Sequence, residues 1–206
     1  MANLTEIFFT LDLAGTFVFA ATGAFAAARK KHDIIAFFFF ASVTGVGGGT
    51  IRDLLLNVPV FWIDNSYYIA TCLIAALLVW LFGNYKFKFD VLTWLDAVGI
   101  AAFSVVGASK ALSIGVSPLN AVIMGVITCV FGGLIRDTLA NQPNMLLRRE
   151  IYISAAMLGS VAFVGLQYFH FGFWTCAFFA ALCAFILRAG AIMFGWQLPG
   201  FRKVAD

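Results

Sequence analysis

The sequence predicts an all-α polytopic membrane protein with seven transmembrane helices: two inverted three-helix repeats plus a seventh helix. Three observations carry this. Of 206 residues, 63% are apolar and only 11% charged, whereas a soluble domain carries about 25% charged residues to cover its surface. The chain also divides into uncharged stretches close to the ~20 residues a helix needs to cross the hydrocarbon. Finally, sliding the sequence along itself by 84 residues aligns glycine-rich and charged motifs without gaps. Apolar bias does not do that. A soluble enzyme is excluded, and so is disorder, which requires high charge and few aromatics.

In chain order, the uncharged stretches place span 1 at 7–28, span 2 at 34–56 and span 3 at 66–83. Spans 4 to 6 follow at 91–112, 119–140 and 151–168. The stretch from Ile151 to Leu187 has no charge and is too long for one crossing, so it must turn at the polar segment 167–172. Span 7 then occupies 173–195, stopped by Gly195 and Pro199. Glu6 and Asp12, with no basic residue ahead of them, make a cleaved signal peptide an unattractive reading.

Basic residues set the orientation. Arg29, Lys30, Lys31, Lys86, Lys88, Arg148, Arg149, Arg202 and Lys203 all fall on one side of a seven-span chain, and the opposite loops hold no Lys or Arg. The positive-inside rule then puts the N-terminus outside and the C-terminus in the cytoplasm. Arg188, two turns from the inner end of span 7, is expected to snorkel to the interface.

The 84-residue offset pairs Leu11, Asp12, Gly15, Phe19 and Gly23 with Leu95, Asp96, Gly99, Phe103 and Gly107. It also pairs Thr44, Gly48, Gly49, Arg52, Asp53, Asn57 and Pro59 with Thr128, Gly132, Gly133, Arg136, Asp137, Asn141 and Pro143, and Tyr68 with Tyr152. Three helices per copy is an odd number, so the second copy enters the membrane from the other side. The organisation is 1–84 first repeat, 85–170 second, inverted repeat, and 171–206 seventh helix with a short tail.

Gly45, Gly47, Gly48 and Gly49 crowd five positions of span 2, with Gly132 and Gly133 as their counterparts in span 5. Each glycine costs a helix about 1 kcal/mol relative to alanine, so a break or bend is expected at both. Freed carbonyls there, with Ser42, Thr44, Thr50 and Thr128, would line a wet path and replace part of a cation's hydration shell. The alternative is close packing, since glycine lets backbones approach.

After each glycine cluster comes an Arg-Asp pair, Arg52-Asp53 and Arg136-Asp137. Adjacent helical residues point about 100° apart and do not face each other, so each member needs another partner. The expected pairs are Asp12 with Arg52 and Asp96 with Arg136, leaving Asp53 and Asp137 to face vestibules and attract cations. The alternative is that all six clamp helices together. Lys110 breaks the symmetry, because its counterpart is Ala26. Either it snorkels outward or it points into the path between the halves, where it would act as a gate.

The four cysteines show no C-x-x-C spacing, and His32 and His170 lie in loops. No metal site, cofactor, enzymatic activity or nucleic-acid partner is expected.

Gly-Val-Gly-Gly-Gly-Thr-Ile-Arg-Asp at 45–53, its degenerate copy at 132–137 and the three-plus-three-plus-one plan resemble the trimeric intracellular cation channels, in their short bacterial and archaeal form. The resemblance covers nearly the whole chain. It implies a homotrimer in the plasma (inner) membrane of a prokaryote, in contact with membrane lipids. Each subunit would carry its own pore, lined by bent spans 2 and 5 and passing monovalent cations, chiefly potassium as a transient occupant. Gly47, Gly48, Gly49, Gly132 and Gly133 would be the kink residues. Animal members carry Lys-Glu-Val in the fourth helix, where a phosphoinositide binds. Here Lys110-Ala111-Leu112 keeps the lysine and loses the glutamate, so that regulation does not carry over while a pore role for Lys110 does. Some related bacterial sequences are described as glycine carriers. Three functions follow: a passive potassium channel, a carrier for a small zwitterion such as glycine, or a non-transporting scaffold.

Overall fold

The computed structural model describes residues 4–83, 89–142 and 151–198. They form α1 (Leu4–Arg29), α2 (Ile34–Leu55), a single turn α3 (Phe61–Asp64), α4 (Tyr67–Phe82), α5 (Phe89–Ser113), α6 (Pro118–Leu139), α7 (Ile153–Tyr168) and α8 (Phe173–Phe194). Except for α3, these are the helices that the hydropathy places. Lys86, Lys88, Pro143, Arg148, Arg149, Pro199, Arg202 and Lys203 lie outside the described residues.

Helix ends follow local chemistry. The Asp33 carboxylate caps α2 by accepting from the Ala36 N–H at 2.8 Å, and Pro118 opens α6, where a missing N–H costs nothing. The Asn-x-Pro motif marks a stop: Asn57 and Asn141, equivalent in the two copies, both adopt left-handed backbone (φ 53° and 47°) just past α2 and α6. Asparagine tolerates that region better than most residues. Gly195 ends α8 in the same way (φ 66°).

Five helices, α1, α2, α5, α6 and α8, each contain 21 to 23 residues that are long and apolar enough to cross a membrane. The apolar α4 and α7 have 16 residues each, a rise of about 24 Å against a hydrocarbon core of about 30 Å. The outer surface carries exposed Ile35, Phe39, Leu81, Phe82, Phe178 and Ile186, as a lipid-facing surface requires.

α1, α2 and α4 pack against one another, and α5, α6 and α7 do the same. The two units join through α1 on α5 and α2 on α6, each a helix against its own counterpart, and α8 covers α5 and α7. Alanine dominates the first unit's core: Ala20, Ala24, Ala27, Ala41, Ala75 and Ala76 are all buried. Where lipid removes the hydrophobic drive for association, such small side chains let helices gain contact by close approach.

The glycine clusters do not interrupt their helices. α2 runs uninterrupted through Gly45–Gly49 and α6 through Gly132–Gly133. The glycines serve close contact between the two helices. A Cβ on Gly48 would collide with the Thr128 carbonyl oxygen, and one on Gly132 would lie 2.6 Å from the Thr44 carbonyl oxygen. The α2–α6 seam is thus a backbone-to-backbone crossing that glycine alone permits.

Arg188 does not snorkel. It is fully buried, its Nη1 donates to the Ile151 carbonyl at 3.2 Å, and its guanidinium lies 5.3 Å from the Tyr152 ring centroid. Turned inward, it finds a carbonyl and an aromatic face that replace the aqueous interface.

Candidate functional site: two buried charge clusters

The first cluster is built where α2 ends. The Asp53 carboxylate is fully buried and takes Arg52 Nε at 2.8 Å and Lys110 Nζ at 2.8 Å. Its Oδ2 also accepts from the Phe61 backbone N–H at 3.1 Å, because α3 folds the chain back over the end of α2. Both cations lie over the Phe61 ring, Arg52 at 5.6 Å and Lys110 at 5.8 Å from its centroid. Beside them the Tyr68 hydroxyl donates to Asp12 at 3.1 Å, with its ring edge-on to Phe61. Trp62 Nε1 donates to the Thr50 hydroxyl at 2.8 Å, and that hydroxyl donates to the Val46 carbonyl at 2.7 Å. Asp53 thus meets both cations, Arg52 and Lys110, while Asp12 sits beside them on Tyr68.

The second cluster occupies the equivalent end of α6. Arg136 Nη1 donates to Asp96 at 2.8 Å and to the Thr22 hydroxyl at 2.9 Å, while its Nε holds Asp137 at 2.8 Å. The Tyr152 hydroxyl lies at the Asp96 carboxylate, as Tyr68 does at Asp12. Gly133 makes room for this arrangement: a Cβ there would lie 2.8 Å from the Tyr152 hydroxyl and 3.6 Å from Arg136 Nη2. A buried charge costs several kcal/mol unless it is paired and hydrogen-bonded. Arg136 meets that requirement with two carboxylates and a hydroxyl.

Three expectations change. The adjacent Arg and Asp of each motif do bond to each other. The 100° separation applies to their Cβ directions, and the arginine stem is long enough to fold back across it. Asp12 is bound by Tyr68 and is not within ion-pair distance of Arg52, whose Nη2 has no hydrogen-bond partner. Asp96 and Arg136 are in contact. Asp53 and Asp137 do not face vestibules: their side chains are 0% and 10% exposed and bound to cations.

Lys110 neither snorkels nor stands free. Its side chain is 31% exposed and reaches from the second unit into the first to hold Asp53. Thr44 and Thr128 are buried at the seam; the Thr128 hydroxyl donates to the Met124 carbonyl at 2.6 Å, and the Thr44 hydroxyl has no partner. Ser42 is half-buried on α2. Phe61, Thr22 and Arg188 carry no signal in the sequence for these positions. Tyr68 and Tyr152 do, since they align with each other at the 84-residue offset, as Asp12 and Asp96 do. Among the described residues no His, Cys, Asp and Glu group is placed to hold a metal ion.

Duplicated three-helix units, joined helix to counterpart around buried Arg–Asp clusters and presenting an apolar exterior, define a polytopic membrane protein. The chain belongs to the family described as "Glycine transporter", whose model matches it twice, at residues 9–84 and 93–168. The UPF0126 inner membrane protein YadS of Escherichia coli K12 is 36% identical over 195 residues, 93% of this chain and 94% of that one. Among solved structures, the TRIC trimeric intracellular cation channel orthologue from Rhodobacter sphaeroides is 43% identical. It has a TM-score of 0.89 and covers 92% of this chain and 99% of its own. A TRIC cation channel solved to explain conductance is 31% identical with a TM-score of 0.84, covering 99% of this chain and 100% of its own. The chain is therefore a bacterial-type membrane protein with the fold of cation channels.

Proposed function

We propose that this protein is a passive monovalent-cation channel, with potassium its expected ion. It acts as a homotrimer with one path per subunit, N-terminus outside and C-terminus cytoplasmic. Its seven helices cross the membrane as two inverted three-helix repeats plus α8, and the path follows the junction of the units beside α2 and α6. The observation that carries this reading is the Lys110–Asp53 ion pair. A half-exposed ammonium from one unit, held on a buried carboxylate of the other, is a movable plug of the right charge to repel cations until it is displaced. Relatives at 31% and 43% identity are cation channels, which supports the same chemistry here. The seam leaves no room for a Cβ at Gly48, let alone an ion between α2 and α6 at that level, which supports reading this conformation as a closed one. The glycines then act as the compliant point where α2 and α6 part.

The test is single-channel recording from the purified protein in planar bilayers. Unitary potassium currents are expected. Slow, saturable solute flux with no unitary current would instead support the second reading, a carrier for a small zwitterion, which the family's description favours. There an Arg–Asp pair would hold amine and carboxylate. Counterflow of labelled glycine in liposomes separates the two, since a channel shows no trans-acceleration. Absence of both would leave the scaffold reading, in which the seam glycines serve packing alone.

A further inference from the structure

The two units also carry a matched pair of cavities, one at each end of the molecule. The first, about 300 Å³, lies between the end of α1, the start of α2 and the end of α4, and includes Ala28, Val79 and Gly83 in its wall. The second, about 320 Å³, includes Leu112, Phe163 and Gln167, which are the same three positions advanced by 84. Shape is shared but chemistry is not. The second is lined by the neutral Ser109, Ser113 and Gln167, while the first is lined by Lys31 and His32 together with Phe37 and Trp80. Phe37 and Trp80 hold each other edge-on at 4.9 Å, and His32 stacks on Phe40 at 5.6 Å. Lys31 adopts left-handed backbone (φ 54°), and its counterpart in the other copy is Gly115, also at positive φ (84°). The turn suits glycine, yet the first copy places a lysine there, in the cavity wall.

From this contrast we infer that the first cavity binds an anionic phospholipid from the leaflet on the Lys31 side. Its phosphate lies between the Lys31 ammonium and the His32 imidazole, and the start of an acyl chain packs on Phe37 and Trp80. Basic pockets between helices at the membrane surface recognise such headgroups, and a lining of aromatic side chains suits an acyl segment as a free phosphate would not need. The counterpart cavity, with no cation, has no such preference. This inference stands apart from the channel reading and survives its failure.

Trp80 is a built-in reporter. The protein is reconstituted in phosphatidylcholine containing the same minor fraction of either brominated phosphatidylglycerol or brominated phosphatidylcholine. The Trp80 component is obtained by subtracting a Trp80→Phe variant, which keeps the other four tryptophans. Quenching of that component at least about two-fold stronger by the anionic lipid is expected, with the preference abolished in Lys31→Gln/His32→Gln. Both substituted side chains are exposed, so the variant should fold, which its thermal unfolding checks. Equal quenching by the two lipids in the wild type, or a preference that outlives the double substitution, overturns the site.

Discussion

Phe19 and Phe103, the same residue in the two copies, stack on each other with ring centroids 5.2 Å apart and planes within 6°. Each ring also lies over a glycine of the opposite copy: a Cβ on Gly15 would be 2.7 Å from Phe103, and one on Gly99 would be 2.6 Å from Phe19. Contacts in which i meets j and j meets i are what a local two-fold relation produces. They support the inverted arrangement proposed above, with α1 and α5 crossing at its axis.

Gly15→Ala and Gly99→Ala should therefore cost the same, since each pushes an equivalent ring out of the same stack. Overpacking of this kind costs about 1–3 kcal/mol. Thermal or denaturant unfolding in detergent would show two matched shifts. Unequal shifts would mean that the halves do not share this contact symmetrically.

Gly48→Ala should be worse than Gly47→Ala, although the two are neighbours in one motif. A Cβ on Gly47 meets only the end of the Ile135 side chain, at 3.0 Å, whereas one on Gly48 meets the Thr128 backbone carbonyl. A side chain can rotate away; a helix backbone must translate. Gly48→Ala is expected to lower unfolding stability by about 2 kcal/mol or more and Gly47→Ala by under about 1.

Hydropathy located seven helices within a few residues because a long, mostly apolar run has few other uses. The single turn α3 escaped, since four residues carry no periodic signal and what holds them is Asp53 accepting from Phe61, eight residues away. The glycine clusters were legible as special, but sequence cannot separate a weakened helix from a closely packed one. That depends on whether a backbone such as that of Thr128 lies opposite. Likewise, the Arg–Asp motifs announced buried charge, while their pairing turned on how an arginine stem folds, which spacing does not encode.

Arg136→Gln should be among the most damaging single changes. It leaves Asp96 and Asp137 without the cation that holds both at 2.8 Å, and breaking a buried pair from one side costs about 3–5 kcal/mol. Thr22→Val removes one hydrogen bond to the same guanidinium, at 2.9 Å, and the one its hydroxyl donates to the Phe19 carbonyl, at 2.7 Å, and should cost about 1–2 kcal/mol. Chemical unfolding in detergent would rank them. Equal losses would show that Thr22, and with it the contact between the units, matters as much as the charge pair.

Lys110→Ala tests the plug directly. Asp53 keeps Arg52 at 2.8 Å and the Phe61 N–H at 3.1 Å, so folding should survive, and the ammonium that would repel cations is gone. Removing about 1 kcal/mol from the barrier raises the conduction rate about five-fold, and a rise of this order in open probability or unitary conductance is expected in planar bilayers. Asp53→Asn should act in the same direction, because it releases Lys110. However, it also strands Arg52, so its unfolding stability must fall while that of Lys110→Ala changes little. The double variant then resolves gate from clamp. If Lys110 acts through Asp53, Lys110→Ala/Asp53→Asn conducts like Lys110→Ala alone. If none of the three alters conductance while stability falls in all, the pair is a clamp between the units and the ion path lies elsewhere.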